Sequence, residues 1–315
     1  MATNTRFYRK LAVLAKLETV YGTDPTPTGA LNALMLSNVT QTPLDGEKVS
    51  RDVILPFFGD QGFVLAGVST KLEFEVEIAG AGAAGDIPAY GVLLRACSMT
   101  ETVVATTSVK YQPVTDQPES VCLYANMDGV NHIMVGARGT FTVDLAIKKI
   151  PKFKFTMTGL LGPVADLARP VIDVSKWQSP VVPSKLNTPI FSLHGTTAAD
   201  VPAESLALDF GGQVEGRFLI GAESVEVTDR KISGTAVLEA RSLATKNWFD
   251  IAKNNVKGPL HVQHGTVAGN IVEFEAPKVQ IGSPAQGNSQ GVLTYSLPLT
   301  LTPDVADDEL VITVR

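Results

Sequence analysis

The sequence predicts a mainly β protein built from two tandem units of similar plan. Residues 71–79 alternate apolar and acidic side chains, as a half-buried strand does, and a short helical pattern follows at residues 87–97. The same order of strand and helix returns at residues 231–240 and 244–253. The 27 glycines and 19 prolines are typical of many short strands joined by turns. A repeated unit usually buries its open face against another copy, so we expect an assembling protein.

The composition limits the possible functions. Of the 315 residues, 44% are hydrophobic and 18% charged, which allows a substantial core in each unit. The formal net charge of −6 argues against a tight DNA-binding protein, because phosphate contacts need clustered basic residues. Cys97 and Cys122 could pair, but without a secretory signal they are expected to be buried free thiols. No apolar run reaches the ~20 residues of a membrane span, so we expect a soluble protein without a membrane partner.

The first 165 residues are predicted to contain an arm and a β domain. Residues 1–35 are expected to form an N-terminal arm, loose on the monomer, with a helical turn or two between residues 10 and 20. The first domain then spans residues 36–165. Asp45-Gly46 predicts the turn of a β-hairpin at residues 36–58, and Asp128-Gly129 predicts a second hairpin turn.

Glycine and proline organise the rest of the chain. The glycine-rich link at residues 80–85 lacks the Lys-Ser/Thr of a phosphate loop, so we interpret it as a flexible connection into the helix. The prolines of residues 166–203 predict an extended connector, which Trp177 is expected to pin to one of the domains. Residues 204–315 form the second predicted domain, with a hairpin at residues 213–229.

No pattern of catalytic residues stands out. His261 and His264 lie three residues apart, which places them on opposite faces of a strand, and no cysteine or carboxylate cluster completes a metal set. Paired carboxylates on an acidic strand could hydrolyse glycosides, but the aromatic content of 7% is low for a sugar-binding enzyme. The sequence therefore predicts no enzyme activity, metal or cofactor.

Three stretches carry a resemblance to a known family. Residues 14–33, residues 37–52, and residues 74–80 together with 88–97 resemble the major tail tube proteins of long-tailed bacteriophages. The resemblance implies two tandem β-sandwich or half-barrel domains, each with a flanking short helix and a projecting hairpin. It also implies rings that stack into a hollow tube carrying DNA. Most relatives have one such domain and form hexameric rings, so a duplicated chain implies trimeric, pseudo-hexameric rings.

The resemblance also implies partners and a location. The expected partners are further copies of the chain, the tape-measure protein, the tail terminator and the distal tail proteins, with double-stranded DNA passing transiently and without sequence specificity. The expected location is the virion tail, after assembly in the host cytoplasm. A carbohydrate-binding or adhesin-like β-sandwich module is the alternative, although only two tryptophans are present to serve a sugar-binding surface.

Two sets of residues are candidates for tube functions. A solvated sheet face is the simplest interpretation of the acidic strands, but an acidic lumen that repels phosphates is the sharper hypothesis. Its candidate residues are Glu73, Glu75, Glu77, Asp144, Glu273 and Glu275. Contacts between rings are expected from the arm and the two hairpins. The hairpin candidates are Thr42, Asp45, Gly46, Glu47, Arg51, Arg217 and Glu223.

Overall fold

The computed structural model describes residues 5–315. The first half of the chain, here residues 5–166, is mostly strand. Its strands are β1 (Leu11–Leu17), β2 (Ala33–Leu34), β3 (Ser37–Ser50), β4 (Phe63–Glu77), β5 (Met99–Val104), β6 (Ser108–Pro113), β7 (Val121–Met127), β8 (Val130–Ala146) and β9 (Lys152–Asp166). Its helices are the one-turn α1 (Gly29–Asn32) and α2 (Gly91–Ala96), and Tyr8–Lys10 is a 3-10 turn.

The second half, here residues 190–315, follows after an extended connection. Its strands are β10 (Ile190–Leu193), β11 (Thr196–Thr197), β12 (Ala203–Asp209), β13 (Gly212–Leu219), β14 (Ala222–Arg230), β15 (Ser233–Glu239), β16 (Lys257–His264), β17 (Val272–Ile281), β18 (Ala285–Ser289), β19 (Val292–Thr302) and β20 (Val311–Val314). Its helix is α3 (Trp248–Lys253). Within residues 5–315 no helix is long and apolar enough to cross a bilayer.

One long antiparallel sheet runs through both halves. Its strand order is β3-β4-β9-β8-β12-β15-β19-β18. The halves meet inside this sheet, where Thr142 to Ala146 of β8 pair with Asp209 to Ser205 of β12. We call this pairing the internal junction. Because it is a regular ladder of backbone hydrogen bonds, the two halves share one continuous sheet.

A second layer covers one face of the long sheet. In the first half, β2, β1 and β7 run next to one another and join the beginning of β8. In the second half the order is β11-β10-β16-β17-β20-β6-β5, so strands β5 and β6 of the first half extend the layer of the second. The architecture is therefore a mainly β sandwich, which confirms the predicted fold class.

The core between the layers also crosses from one half to the other. Phe141 of β8 stacks on Phe210, with ring centroids 5.0 Å apart and planes 17° apart. Phe153 of β9 meets Phe274 of β17 at 6.2 Å. Aromatic pairs at these distances add to the free energy gained by burying apolar area. Both thiols, Cys97 and Cys122, are buried and free, as the sequence predicts.

The glycine-rich link is a close contact rather than a flexible connection. Gly80 lies against the second half so tightly that a Cβ there would sit 2.1 Å from the carbonyl oxygen of Gly269. The backbone N–H of Gly82 donates to that same oxygen at 2.8 Å. The interpretation of residues 80–85 as flexible is therefore wrong, because glycine serves here to let two backbones approach.

Two expectations for the N-terminal segment are wrong. The predicted α-helical turns between residues 10 and 20 are absent, since residues 11–17 form β1, which pairs with β7 along its whole length and buries residues 12–15. The segment after β1 is also fixed on the first half. The carboxylate of Glu18 accepts hydrogen bonds from the backbone N–H groups of Gly22 and Gly136 at 2.8 and 2.6 Å. Tertiary pairing has overridden the local helical pattern.

The Asp-Gly prediction succeeds once and fails once. Asp128 and Gly129 have φ values of 47° and 100° and connect β7 to β8 in a two-residue turn, as predicted. Asp45 and Gly46 instead lie within β3, where the register with β4 shifts on both sides of Asp45. Such a shift is typical of a β-bulge, and the real hairpin connects β3 to β4 through residues 51–62. The predicted turn at Asp45-Gly46 is therefore wrong.

Other local predictions are confirmed. The helices expected at residues 87–97 and 244–253 are α2 and α3, and the hairpin expected at residues 213–229 is formed by β13 and β14. Trp177 fixes the connection between the halves, since its indole N–H donates to the carbonyl of Ala33 at 3.2 Å and its ring faces Tyr90 at 6.5 Å. It therefore pins the connector to the first half.

Candidate assembly surfaces

The long sheet has one face that the second layer does not cover. On β4 the residues Leu72, Phe74 and Val76 are fully buried, and the alternating residues between them point to the opposite face. Cross-strand register carries this polar face through β9, β8, β12 and β15. Over these five strands the polar face bears six carboxylates, three lysines and one arginine, which are Glu73, Glu75, Glu77, Asp144, Asp209, Glu239, Lys71, Lys152, Lys154 and Arg138.

Lysines of β9 partly neutralise the acidic strand. Lys152 donates to the carboxylate of Glu75 at 2.8 Å, and Lys154 lies 3.3 Å from the carboxylate of Glu73. Burial alone would raise the pKa of Glu75, but hydrogen bonds from Lys152 and Asn38 outweigh burial and lower it. Glu75 is therefore held ionised in a cross-strand pair. The face is a ladder of charges with a negative excess rather than a uniformly acidic surface.

The structure divides the six acidic candidates between two places. Glu73, Glu75, Glu77 and Asp144 share the polar face of the long sheet. Glu273 and Glu275 lie on β17, where their stretch pairs with β16 and β20 in the second layer. Glu273 is 8% exposed and accepts a hydrogen bond from Arg315 at 2.7 Å. Glu275 lies 3.8 Å from His261.

The long sheet ends in two edges that no other strand of residues 5–315 occupies. β3 pairs with β4 alone, and β18 pairs with β19 alone. An open edge presents unpaired backbone donors and acceptors, and natural proteins cover or block such edges unless pairing is intended. The two edges lie at opposite sides of the same eight-stranded sheet, so each is available to a further strand.

Two hairpins come together at one end of the sheet. The connection between β3 and β4, residues 51–62, is exposed except at the partly buried Gln61. The ring of Phe218 on β13 packs on Gly67 of β4, where a Cβ would lie 3.0 Å from the ring. This contact joins the two tips into one surface. We call residues 51–67 and 218–222 the hairpin apex.

The hairpin apex exposes many large apolar side chains. Phe58 and Ile220 are completely exposed, and Ile54 is 98% exposed. The remaining exposed apolar residues of the apex are Val53, Leu55, Phe57, Phe63, Val64, Leu65 and Leu219. Exposure of this many large apolar side chains on two neighbouring hairpin tips is typical of an interaction site.

The ring-stacking candidates lie on or near this end of the molecule. Arg51, Arg217 and Glu223 are exposed at or beside the hairpin apex. Thr42, Asp45, Gly46 and Glu47 lie further back along β3, which pairs with β4 there. Asp45 accepts a hydrogen bond from Lys71, which lowers the pKa of its carboxyl, so this candidate has a partner within its own chain.

A buried arginine holds the second hairpin in place. The guanidinium of Arg138 on β8 donates to the carbonyls of Val225 and Pro118, each at 2.8 Å, and pairs with Glu226. It lies over the ring of Tyr21, 5.0 Å from the centroid, and the Tyr21 hydroxyl accepts from the N–H of Val225 at 2.6 Å. Residues far apart in sequence therefore converge on β14.

Several of these residues could not be predicted from the sequence. Arg138 and Tyr21 carry no local pattern that distinguishes them from surface residues. The apolar run at residues 53–58 next to Gly59 and Asp60 does carry a signal, because such a run is unusual in a connection between strands. The β18 edge could have been inferred only from the sheet order.

These features define a class of protein. A sandwich whose long sheet has two open edges and one uncovered polar face, with an apolar apex at one end, is a structural subunit built to contact other subunits. Among residues 5–315 no group of three potential metal ligands comes together.

The family comparison agrees with this class. The model of the family described as phage tail tube protein matches residues 9–301, and the chain belongs to this family. It is therefore a structural component of the virion tail and not an enzyme. A search of curated proteins gave no match.

Proposed function

We propose that three copies of the chain close into a ring, that the rings stack into a tube, and that the tube lumen conducts double-stranded DNA. Membership in the tail tube family supports the tube. The ring rests on the internal junction between β8 and β12, because it supplies a template for pairing between copies.

The two halves repeat one order of strands in the long sheet. In the first half the order is β3-β4-β9-β8, and in the second it is β12-β15-β19-β18. Helices α2 and α3 follow β4 and β15, the second strand of each series. The strand β18 thus corresponds to the end of β8, and β3 corresponds to β12.

This correspondence assigns the contact between copies. If β8 pairs with β12 within one chain, β18 of one copy pairs with β3 of the next in the same antiparallel sense. Such a contact joins two different surfaces, and it closes into a ring when the rotation per copy divides a full turn. Residues 285–289 and 37–43 form the proposed interface.

Three copies of the eight-stranded sheet give 24 strands. At the usual strand spacing and tilt, 24 strands close at a backbone diameter of about 48 Å, which leaves room for a DNA duplex after side chains are added. The second layer occupies the other face, so closure turns the polar face towards the lumen. Its excess of carboxylates over lysines disfavours phosphate binding, which suits a passage for DNA.

A proline in the β18 edge tests the ring. Ser289 and Val292 flank a two-residue turn and therefore form a hydrogen-bonded pair. Along the hairpin such pairs alternate with pairs that share no hydrogen bond. Gln286 falls in a pair of the second kind, so its N–H points away from β19. Gln286→Pro therefore removes an outward donor without removing a bond within the chain. We expect Gln286→Pro to give folded monomers, whereas the control Gln286→Ala should assemble normally. Rings formed by the proline variant, counted by electron microscopy, would refute the proposed contact.

A further inference from the structure

Two turns lie at the end of the long sheet opposite to the hairpin apex. Because neighbouring strands are antiparallel from β4 to β15, these two strands run in the same direction. The two parts of the apex lie at the beginnings of β4 and β15. The β8–β9 turn lies beside the end of β4, and the β18–β19 turn lies beside the end of β15. We call residues 147–150 and 290–293 the turn pair. The ten residues of β4 beyond the apex, residues 68–77, place the turn pair about 33 Å from the apex.

The turn pair exposes apolar side chains where turns are normally polar. Ile147 and Ile150 are 40% and 44% exposed, and Val292 and Leu293 are 48% and 46% exposed. The sheet therefore ends in an apolar surface at both ends. Each of the two apolar surfaces has one part from the first half of the chain and one part from the second half.

Charges on the two surfaces are complementary in the first half. Lys148 and Lys149 of the turn pair form no salt bridge within residues 5–315. The apex connection carries Asp52 and Asp60, whose carboxylates also lack a cationic partner there, against the single cation Arg51. Attraction between the negative connection at residues 51–62 and these two lysines favours an approach in which the apex faces the turn pair.

We propose that the hairpin apex of one copy docks on the turn pair of a second copy in the next ring. This inference rests on the proposed stacking of rings and adds the receiving surface. Apolar surfaces at opposite ends of a subunit produce a head-to-tail contact, which continues along an axis instead of closing on itself. The tube thus gains one polarity, with every apex pointing the same way.

Disulfide trapping tests the contact directly. Phe58→Cys and Ile150→Cys chains are mixed, assembled and oxidised; the native cysteines are buried and stay out of the reaction. We expect a dimer that forms only in assembled material and contains both variants. Val104→Cys, exposed on β5, replaces Ile150→Cys as the control and should give no dimer. Equal trapping by the control, or none by the proposed pair in assembled tubes, would overturn the docking.

A double variant separates this inference from the ring proposal. Ile147→Ser with Ile150→Ser should leave single rings that fail to lengthen into tubes, whereas the matched exposed pair Val103→Ser with Val104→Ser should give normal tubes. Normal tubes from the turn variant overturn the docking and leave the ring intact. A folded turn variant that forms no ring at all contradicts the ring proposal and the docking together.

Discussion

Arg138 and Val225 are joined by a hydrogen bond of 2.8 Å, although they are 87 residues apart in sequence. The bond ties β8 of the first half to β14 of the second half. Arg138 is only 8% exposed, so its charge is satisfied inside the protein by carbonyls, by Glu226 and by the ring of Tyr21. Part of the hairpin apex therefore owes its position to one buried side chain.

Arg138→Ala should destabilise the protein strongly. The change leaves buried carbonyls without their donor, which costs about 2–4 kcal/mol in the free energy of unfolding. Denaturation by urea measures this, and limited proteolysis should show earlier cleavage between β13 and β14. Arg217→Ala removes an exposed arginine from the same hairpin and should change stability by less than about 0.5 kcal/mol. A similar loss in both variants would contradict the assignment.

Gly80→Ala should weaken the contact between the halves. The new methyl group would meet the carbonyl of Gly269 at 2.1 Å, so the backbones must separate. We expect a loss of about 1–3 kcal/mol on thermal or chemical unfolding. Gly212→Ala is the control, because its Cβ would lie 3.4 Å from the nearest atom, an ordinary contact distance. If Gly80→Ala is neutral, residues 80–85 are the flexible connection that the sequence alone suggests.

Removing charge from the polar face should change how tubes treat DNA. Glu73→Gln with Glu77→Gln leaves the Glu75–Lys152 pair in place and makes the proposed lumen less negative. Assembled tubes of this variant should retain more duplex DNA at low salt, and the excess should vanish as salt rises. Asp86→Asn with Asp116→Asn makes the same change in charge on exposed loops and should behave as the unmodified chain does. If both variants retain the same amount of duplex DNA, the carboxylates of Glu73 and Glu77 lie outside the lumen.

The Asp307–Arg230 pair should make stability depend on pH in acid. Burial alone would raise the pKa of Asp307, but hydrogen bonds from Thr115 and Arg230 lower it below the ordinary value of 3.8. Because the folded pKa is lower, the contribution is present above about pH 3.8 and is lost as pH falls through the folded value. Asp307→Asn should therefore flatten the loss of unfolding free energy between about pH 5 and about pH 2. Asp86→Asn controls for removal of one carboxylate, and an unchanged slope in Asp307→Asn would contradict the pairing.

The structure also changes one experiment that the sequence suggests. From the sequence alone, deletion of residues 40–52 is expected to remove a projecting hairpin and to leave monomers that cannot polymerise. Those residues form most of β3, however, and β3 is both the partner of β4 and a proposed ring edge. The deletion would disturb folding and ring closure as well as stacking. Shortening residues 52–61 alone is the cleaner test of the apex.

Local patterns predicted the elements that local chemistry decides. The alternation at residues 71–79 identified β4, and Asp128-Gly129 identified a turn because both residues take positive φ. Asp45-Gly46 failed because β4 supplies a partner along all of β3, and a bulge absorbs the extra residue. The pattern at residues 10–20 failed for the same reason, since pairing with β7 decides the conformation of β1.

The assembly surfaces were predictable only in part. The alternation placed Glu73, Glu75 and Glu77 on one face, but their lysine partners depend on the register between β4 and β9. The same alternation on residues 272–275 could not show that this stretch belongs to the second layer. Sheet order, open edges and the meeting of the two hairpins depend on contacts distant in sequence, which periodicity does not report.

In the proposed tube, one chain supplies two neighbouring segments of a closed ring. Cross-sections of assembled tubes by cryo-electron microscopy measure this most directly, because they give the number of chains in each ring. We expect three chains in each ring, arranged with β18 of each against β3 of the next. A ring of six chains, or a ring in which β3 and β18 remain unpaired, would contradict it.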